Sequence, residues 1–318
     1  MNTGIDVGLG EGGLGEVSLD EVGGGEVGGG EVGVGPAAIE VRGAAASYQW
    51  VTSNGSIRTD RPVLVFLHGW GGSSRYWRST AEAMVDAYDC LLYDWRGFGK
   101  SAIAAESVAA DYGLQAYAND LANLLHQLGI DRVSVIAHSL GTSIAPYFIT
   151  QWSGTVDRAV MTCGGVFKFD ALAYSLFYRV GQVIVGIRPR WFYDLPGMNW
   201  FVMQRFVHRM ISRRDRAEFV DDYLSCQPEA ALGVLLDVAQ SKTCLELVEN
   251  IKQIDIPVLM LSGQKDQIIP PLLGKNAARL NDRISHQVLK NVGHLPMLED
   301  PDVFQAEVRS FLEKSSSG

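Results

Sequence analysis

Nine residues near the middle of the chain, Val133-Ser134-Val135-Ile136-Ala137-His138-Ser139-Leu140-Gly141, restrict its fold more than any other stretch. A short apolar, β-branched run leads straight into a small-x-Ser-x-Gly turn, and a helical pattern starts at Thr142. In that context the serine sits on a tight strand-to-helix turn that lifts its hydroxyl clear of the backbone. Such a turn packs closely on both sides of the serine and so requires small residues there, here Ala137 and Gly141. Alanine stands where glycine is usual, a variant that the sterics allow.

The surrounding pattern has the rhythm of a layered α/β protein. Apolar runs at Val63–Leu67, Cys90–Tyr93, Val133–Ile136, Ala159–Thr162 and Pro257–Leu261 read as strands buried on both faces. Helix-like stretches, around Trp77–Tyr88 and Leu114–Leu128, separate the first three. Strands alternating with helices predict a mainly parallel sheet covered on both sides. Upstream, Ala38–Val41 and Tyr48–Thr52 read as further strands, with Asn54-Gly55 as a turn signal.

Two regions depart from this rhythm. Residues 1–35 hold 14 of the 35 glycines and seven acids but no Lys or Arg. They lack an apolar face, and ordering so much glycine is entropically costly, so the segment reads as a disordered acidic tail. Residues 166–228 hold 13 of the 30 aromatics, in helix-like pieces broken by Pro189, Pro196 and Gly197. They read as a helical cap inserted between two core strands, which places the core at 36–165 and 233–318 and the cap at 166–232.

Charge and composition exclude several classes. Of the net charge of −9, the tail carries −7, leaving −2 for the other 283 residues. That balance offers no surface for nucleic acid. With 47% hydrophobic residues the chain can bury a sizeable core. Neither a secretory signal nor a transmembrane run stands out, and Cys90, Cys163, Cys226 and Cys244 lack metal-ligand spacing, so a reducing, cytoplasmic setting is expected. No H-E-x-x-H, calcium loop or dinucleotide glycine fingerprint is present, and the expectation is a chain needing no cofactor and no metal. The sequence does not set the oligomeric state.

A serine hydroxyl needs a base beside it, and the base needs a group to orient it. His294, in Asn291-Val292-Gly293-His294-Leu295-Pro296, lies on a loop between Val288-Leu289 and the C-terminal helix, and is the best base candidate of the six histidines. His68 and His138 sit in tight turns and read as structural. Asp266 is the only carboxylate of Ser262–Pro270, the segment that directly follows the Val258–Leu261 strand, and is the candidate acid; Asp170, after Ala159–Thr162, is the runner-up. In His68-Gly69-Trp70-Gly71-Gly72 the glycines let backbone N–H groups face a cleft. The Trp70 N–H and the Leu140 N–H are the candidate oxyanion hole.

Four motifs now stand in order: His68-Gly69-Trp70-Gly71-Gly72, Asp94-Trp95-Arg96-Gly97-Phe98-Gly99-Lys100-Ser101, Ala137-His138-Ser139-Leu140-Gly141, and Asp266 with Gly293-His294. Over residues 37–314 the chain resembles the α/β-hydrolase superfamily in its cap-bearing branch. The resemblance implies an eight-stranded-type sheet, with Asp94 and Arg96 shaping a loop beside the site rather than reacting. It also implies acyl transfer to water from a small-molecule ester, since the relatives that open epoxides or displace halide carry aspartate where Ser139 stands. Leu140 further departs from the dehalogenase pattern, which has tryptophan there. The same resemblance covers C–C bond hydrolases, aminopeptidases, lactonases and thioesterases, and a slow or non-catalytic ligand receptor that keeps the fold is the alternative from another class. Aromatics in the cap favour an apolar substrate. Nine Lys/Arg against six Asp/Glu in 166–228 read as a solvated basic face, with an anionic or membrane-associated substrate as the alternative.

Overall fold

The computed structural model describes residues 36–55, 58–101, 111–167 and 171–314. The acidic tail and Asp170 lie outside the described residues. Eight strands form one sheet in the order β1-β2-β4-β3-β5-β6-β7-β8: β1 (Ala37–Val41), β2 (Ala44–Val51), β3 (Val63–Leu67), β4 (Asp89–Tyr93), β5 (Val133–His138), β6 (Val156–Thr162), β7 (Val258–Gly263) and β8 (Ile284–Leu289). The pairs β1–β2 and β2–β4 are antiparallel, and the other five pairs are parallel.

Alternation along the central strands explains why both faces are covered. Val63, Val65 and Leu67 of β3 face one apolar cluster, while Leu64 and Phe66 face another. Chain order sets the helices: α1 (Arg78–Glu82), α2 (Leu114–Gln127), α3 (Leu140–Gln151), α4 (Ala171–Gly186), α5 (Arg190–Tyr193), α6 (Met198–Met203), α7 (Arg213–Ser225), α8 (Pro228–Val238), α9 (Ser241–Gln253), α10 (Pro271–Ala278), α11 (Pro296–Glu299) and α12 (Pro301–Leu312). Leu114, Tyr117, Leu121 and Leu124 recur at helical spacing on α2 and join Ile144 and Phe148 of α3 in the first cluster. Ala81 of α1 and Phe304, Val308 and Leu312 of α12 cover the second.

Two local readings of the sequence are revised: the helix expected around Trp77–Tyr88 is much shorter, and the strand expected at Tyr48–Thr52 begins already at Ala44. A 3₁₀ turn, Ser74–Trp77, leads into the Trp77–Tyr88 stretch, which holds only the short α1. The Ala87 and Tyr88 N–H groups then fold back on the Met84 carbonyl, which redirects the chain into β4. The β1–β2 hairpin turns at Arg42-Gly43, both at positive φ, and Val41 pairs with Ala44 across this two-residue loop. The four cysteines are free, three of them buried, in keeping with packing roles. No described helix is long and apolar enough to cross a membrane.

Candidate active site

Parallel strands deliver the candidate residues to one edge of the sheet. Ser139 stands between β5 and α3 at φ 50°, ψ −115°, a conformation that costs a non-glycine residue energy and is held by its surroundings. Its N–H donates to the Thr162 carbonyl at 2.9 Å, and its carbonyl accepts from the Thr142 N–H and hydroxyl. A Cβ on Gly141 would come within 2.7 Å of the Leu67 carbonyl oxygen, which is why glycine follows the serine by two.

Asp266 lies past the end of β7 and His294 past the end of β8. The Ser139 Oγ is 3.1 Å from His294 Nε2, and His294 Nδ1 is 2.8 Å from Asp266 Oδ2. The other carboxylate oxygen, Oδ1, accepts the N–H groups of Ile268 and Ile269. These partners assign the tautomer: Nδ1–H donates to the carboxylate, and bare Nε2 faces the serine hydroxyl. Asp266 and His294 are buried. The two loops touch so closely that a Cβ on Gly263 would fall 1.9 Å from the Gly293 carbonyl oxygen.

The loop after β3 completes the arrangement. A Cβ on Gly69 would meet His138 Nδ1 and Ser139 Cβ at 3.0 Å, so only glycine lets this loop pass so near the serine. Neither the Trp70 nor the Leu140 backbone N–H has an acceptor among the described residues. Leu140 opens α3, so its N–H adds the positive end of a helix dipole to that side of the site. The Trp70 side chain is engaged separately, donating Nε1–H to the Ala231 carbonyl of α8.

Other histidines and acids brace these loops. His138 takes the Tyr76 hydroxyl hydrogen at Nδ1 (2.9 Å) and donates from Nε2 to the His294 carbonyl (2.8 Å), while Tyr76 accepts the Gly69 N–H. Burial, followed by the neighbouring His294 and His68, pushes the His138 pKa well below the ordinary imidazole range, so the ring is neutral. His68 is also buried and accepts the Trp95 N–H at Nε2. Asp94 accepts from the Ser74 and Lys100 N–H groups, and Arg96 pairs with buried Asp120 at 2.9 Å. His126 is in the last turn of α2, and His286 lies within β8 against the Ser262 hydroxyl.

Sequence reasoning missed Glu299. This buried carboxylate accepts the N–H groups of Gly293 and Leu295 on the His294 loop, and those of His208 and Arg209 in the insertion. The His294 N–H in turn donates to the Phe206 carbonyl at 2.7 Å. A lone glutamate before Asp300-Pro301 carries no signal for this role beyond its closeness to His294 in sequence. Tyr76 was missed for a similar reason: it stands just before the helix-like run at Trp77–Tyr88 and belongs to no motif.

Ser139 and His294 open into a cavity of about 230 Å³, lined by Phe167, Phe206, Phe219, Leu235, Val238 and Ile269 among others. Its walls are therefore apolar, and five of these six residues come from the chain between β6 and α8 or from α8 itself. Among the described residues the grouping most suited to a metal is His138, Cys163 and His294. Both nitrogens of each ring are already engaged as above, and burial holds the Cys163 thiol protonated by raising its pKa well above the usual range. That leaves no free imidazole donor for an ion.

Comparisons with known proteins bear on the family and the fold. An uncharacterised Mycobacterium tuberculosis protein is 26% identical over 266 residues, covering 79% of this chain and 75% of that one. The pimeloyl-acyl-carrier-protein methyl ester esterase of Vibrio atlanticus is 23% identical over 277 residues, covering 80% and 95%. Among solved structures, a thermophilic esterase from Thermogutta terrifontis superimposes with a TM-score of 0.68 at 22% identity, over 88% of this chain and 98% of that one. That likeness is one of fold. The sequence profile of the alpha/beta hydrolase family matches residues 64–307, and the chain belongs to that family.

Proposed function

We propose that the chain is a serine hydrolase that cleaves an ester-like bond of a small, largely apolar substrate through an acyl-enzyme. The observation that carries this reading is the hydrogen-bonded series Ser139 Oγ, His294 Nε2, His294 Nδ1, Asp266 Oδ2 at 3.1 and 2.8 Å. His294 takes the serine proton as Ser139 attacks the acyl carbon, and Asp266 stabilises the imidazolium that forms. The Trp70 and Leu140 N–H groups receive the developing oxyanion, each such donor being worth ~10²–10³ in turnover. His294 then passes the proton to the leaving alcohol, and the acyl-enzyme is hydrolysed by water through the same steps.

Residues 166–232 act in this reading as a cap whose Phe206 and Phe219 close the acyl pocket. A cavity of about 230 Å³ lies below the roughly 300 Å³ at which drug-sized pockets begin. Short acyl chains are therefore the expected substrates. The test is a panel of p-nitrophenyl esters of increasing acyl length, run with the wild type and Ser139→Ala. Turnover that peaks at a short acyl chain and vanishes in Ser139→Ala supports the proposal. Turnover retained by Ser139→Ala overturns the nucleophile, and a wild type inert to every ester favours a ligand receptor.

A further inference from the structure

Helix α4 presents the wrong face to water for a helix that belongs only to a soluble cap. Leu176, Val180, Val183 and Ile187 follow one another at i, i+4, i+7 and i+11 and form one stripe along it. That stripe is exposed: Leu176 63%, Val183 57% and Ile187 68%, with Trp191 at 67% just beyond it. The opposite side is the packed one. Val185 is buried, and Gly181 lets α4 approach α8 so closely that a Cβ there would lie 3.0 Å from Leu235. The apolar stripe is therefore not this helix's core contact.

Charge identifies the occupant. From Ala171 to Tyr193 the chain has three arginines, Arg179, Arg188 and Arg190, and no acid. Arg188 is engaged inward with the Tyr223 and Cys226 carbonyls, but Arg179 is exposed next to the stripe and has no acidic partner among the described residues. Arg190 is exposed too, with Asp221 at 2.9 Å. Exposed aliphatics flanked by arginine and an exposed tryptophan match the boundary between acyl chains and anionic headgroups, where tryptophan and arginine are favoured. At 16 residues α4 is too short to span a bilayer and would lie along its surface.

We propose that the α4 face, from Leu176 to Trp191, docks on an anionic lipid surface. The inner side of α4 packs on α8, whose Leu235 and Val238 line the cavity at Ser139. Docking would therefore hold the apolar pocket one helix away from a source of apolar substrate. The proposal stands independently of the reaction assigned to Ser139.

The test is co-sedimentation of the full chain with vesicles of equal parts phosphatidylcholine and phosphatidylglycerol, and with phosphatidylcholine alone, at low salt. The protein is expected to pellet with the mixed vesicles and weakly with the neutral ones. The variant Val183→Glu/Ile187→Glu/Trp191→Glu should reduce binding at least about tenfold while keeping the melting temperature, because each side chain is already in water. Arg179→Glu should weaken binding to the mixed vesicles alone. Absence of binding, or binding that the triple variant leaves intact, would overturn the proposal. So would size-exclusion showing a dimer that the triple variant converts to monomer, since a second copy would then be what covers the face.

Discussion

The loops carrying Ser139, Asp266 and His294 and the helices inserted between β6 and β7 are held by different forces. In the loops the backbone itself is fixed. Gly69, Gly141 and Gly263 sit where a Cβ would strike neighbouring atoms, and Glu299 and Asp266 gather backbone N–H groups in the dry interior. In the insertion, helices meet through side chains: Arg188 reaches across to the end of α7, Trp70 reaches out to α8, and Asp222 of α7 receives Ser73 and Arg75 from the loop after β3. Backbone restraint fixes a geometry to fractions of an ångström, as proton transfer demands. Side-chain contacts can be exchanged one at a time, which is how an insertion changes the shape of a pocket without moving the residues beneath it.

The sharpest way to break this contrast lies in the loops. Asp266→Asn should lower kcat roughly 10⁴-fold, because the amide no longer holds the reactive tautomer of His294. Asp170→Asn, measured with the same short ester, should change kcat little. A large loss in the second mutant with a near-normal first would move the acid to the strand before the insertion. Next in size is Glu299→Gln. Its amide group turns a donor toward N–H groups that need acceptors, so the His294 loop should shift and kcat fall about 10²-fold with KM nearly unchanged. An effect on KM alone would show that Glu299 serves the insertion rather than the loop.

Changes in the insertion should be smaller and of another kind. Phe219→Ala enlarges the pocket and should raise kcat/KM for longer acyl esters relative to short ones by ~10-fold, leaving the rate of serine acylation by the best ester close to normal. Equal loss on all esters would place Phe219 with the reacting groups. Asp222 offers the smallest effect. Burial, offset in part by Arg75 and the Ser73 hydroxyl, pushes its carboxyl up to about 7. The folded chain then holds a proton that the unfolded chain releases near pH 4, so this group favours folding at low pH. Its contribution is lost as pH rises from about 4 to 7. The Tm difference between pH 5 and pH 8 should therefore shrink in Asp222→Asn, by roughly 3 °C. An unchanged difference would show that the carboxylate is paired well enough to stay ionised throughout.

The same contrast explains what the sequence reveals. Steric rules leave marks: a glycine two residues after Ser139, the glycines around Trp70, and continuous apolar strands such as Val63–Leu67 are each legible because few other residues fit. Ser139 could be picked out for that reason, Asp266 and His294 by their places on loops after strand-like runs, and the structure brings the three within hydrogen-bond distance. Roles that depend on distant partners leave none. Glu299 bonds to residues some 90 positions away, and Tyr76 meets His138 only once β3 and β5 are paired. The first half of β2, Ala44-Ala45-Ala46-Ser47, has little intrinsic strand preference and becomes a strand through pairing with β1.

The central claim is that Ser139, activated by His294, is the nucleophile. The most direct test is labelling with a fluorophosphonate followed by peptide mass spectrometry on the wild type, Ser139→Ala and His294→Ala. One adduct, on the peptide bearing Ser139, is expected in the wild type, with none in Ser139→Ala and labelling slowed by orders of magnitude in His294→Ala. An adduct on any other serine, or labelling of Ser139 at an unchanged rate without His294, would contradict the account.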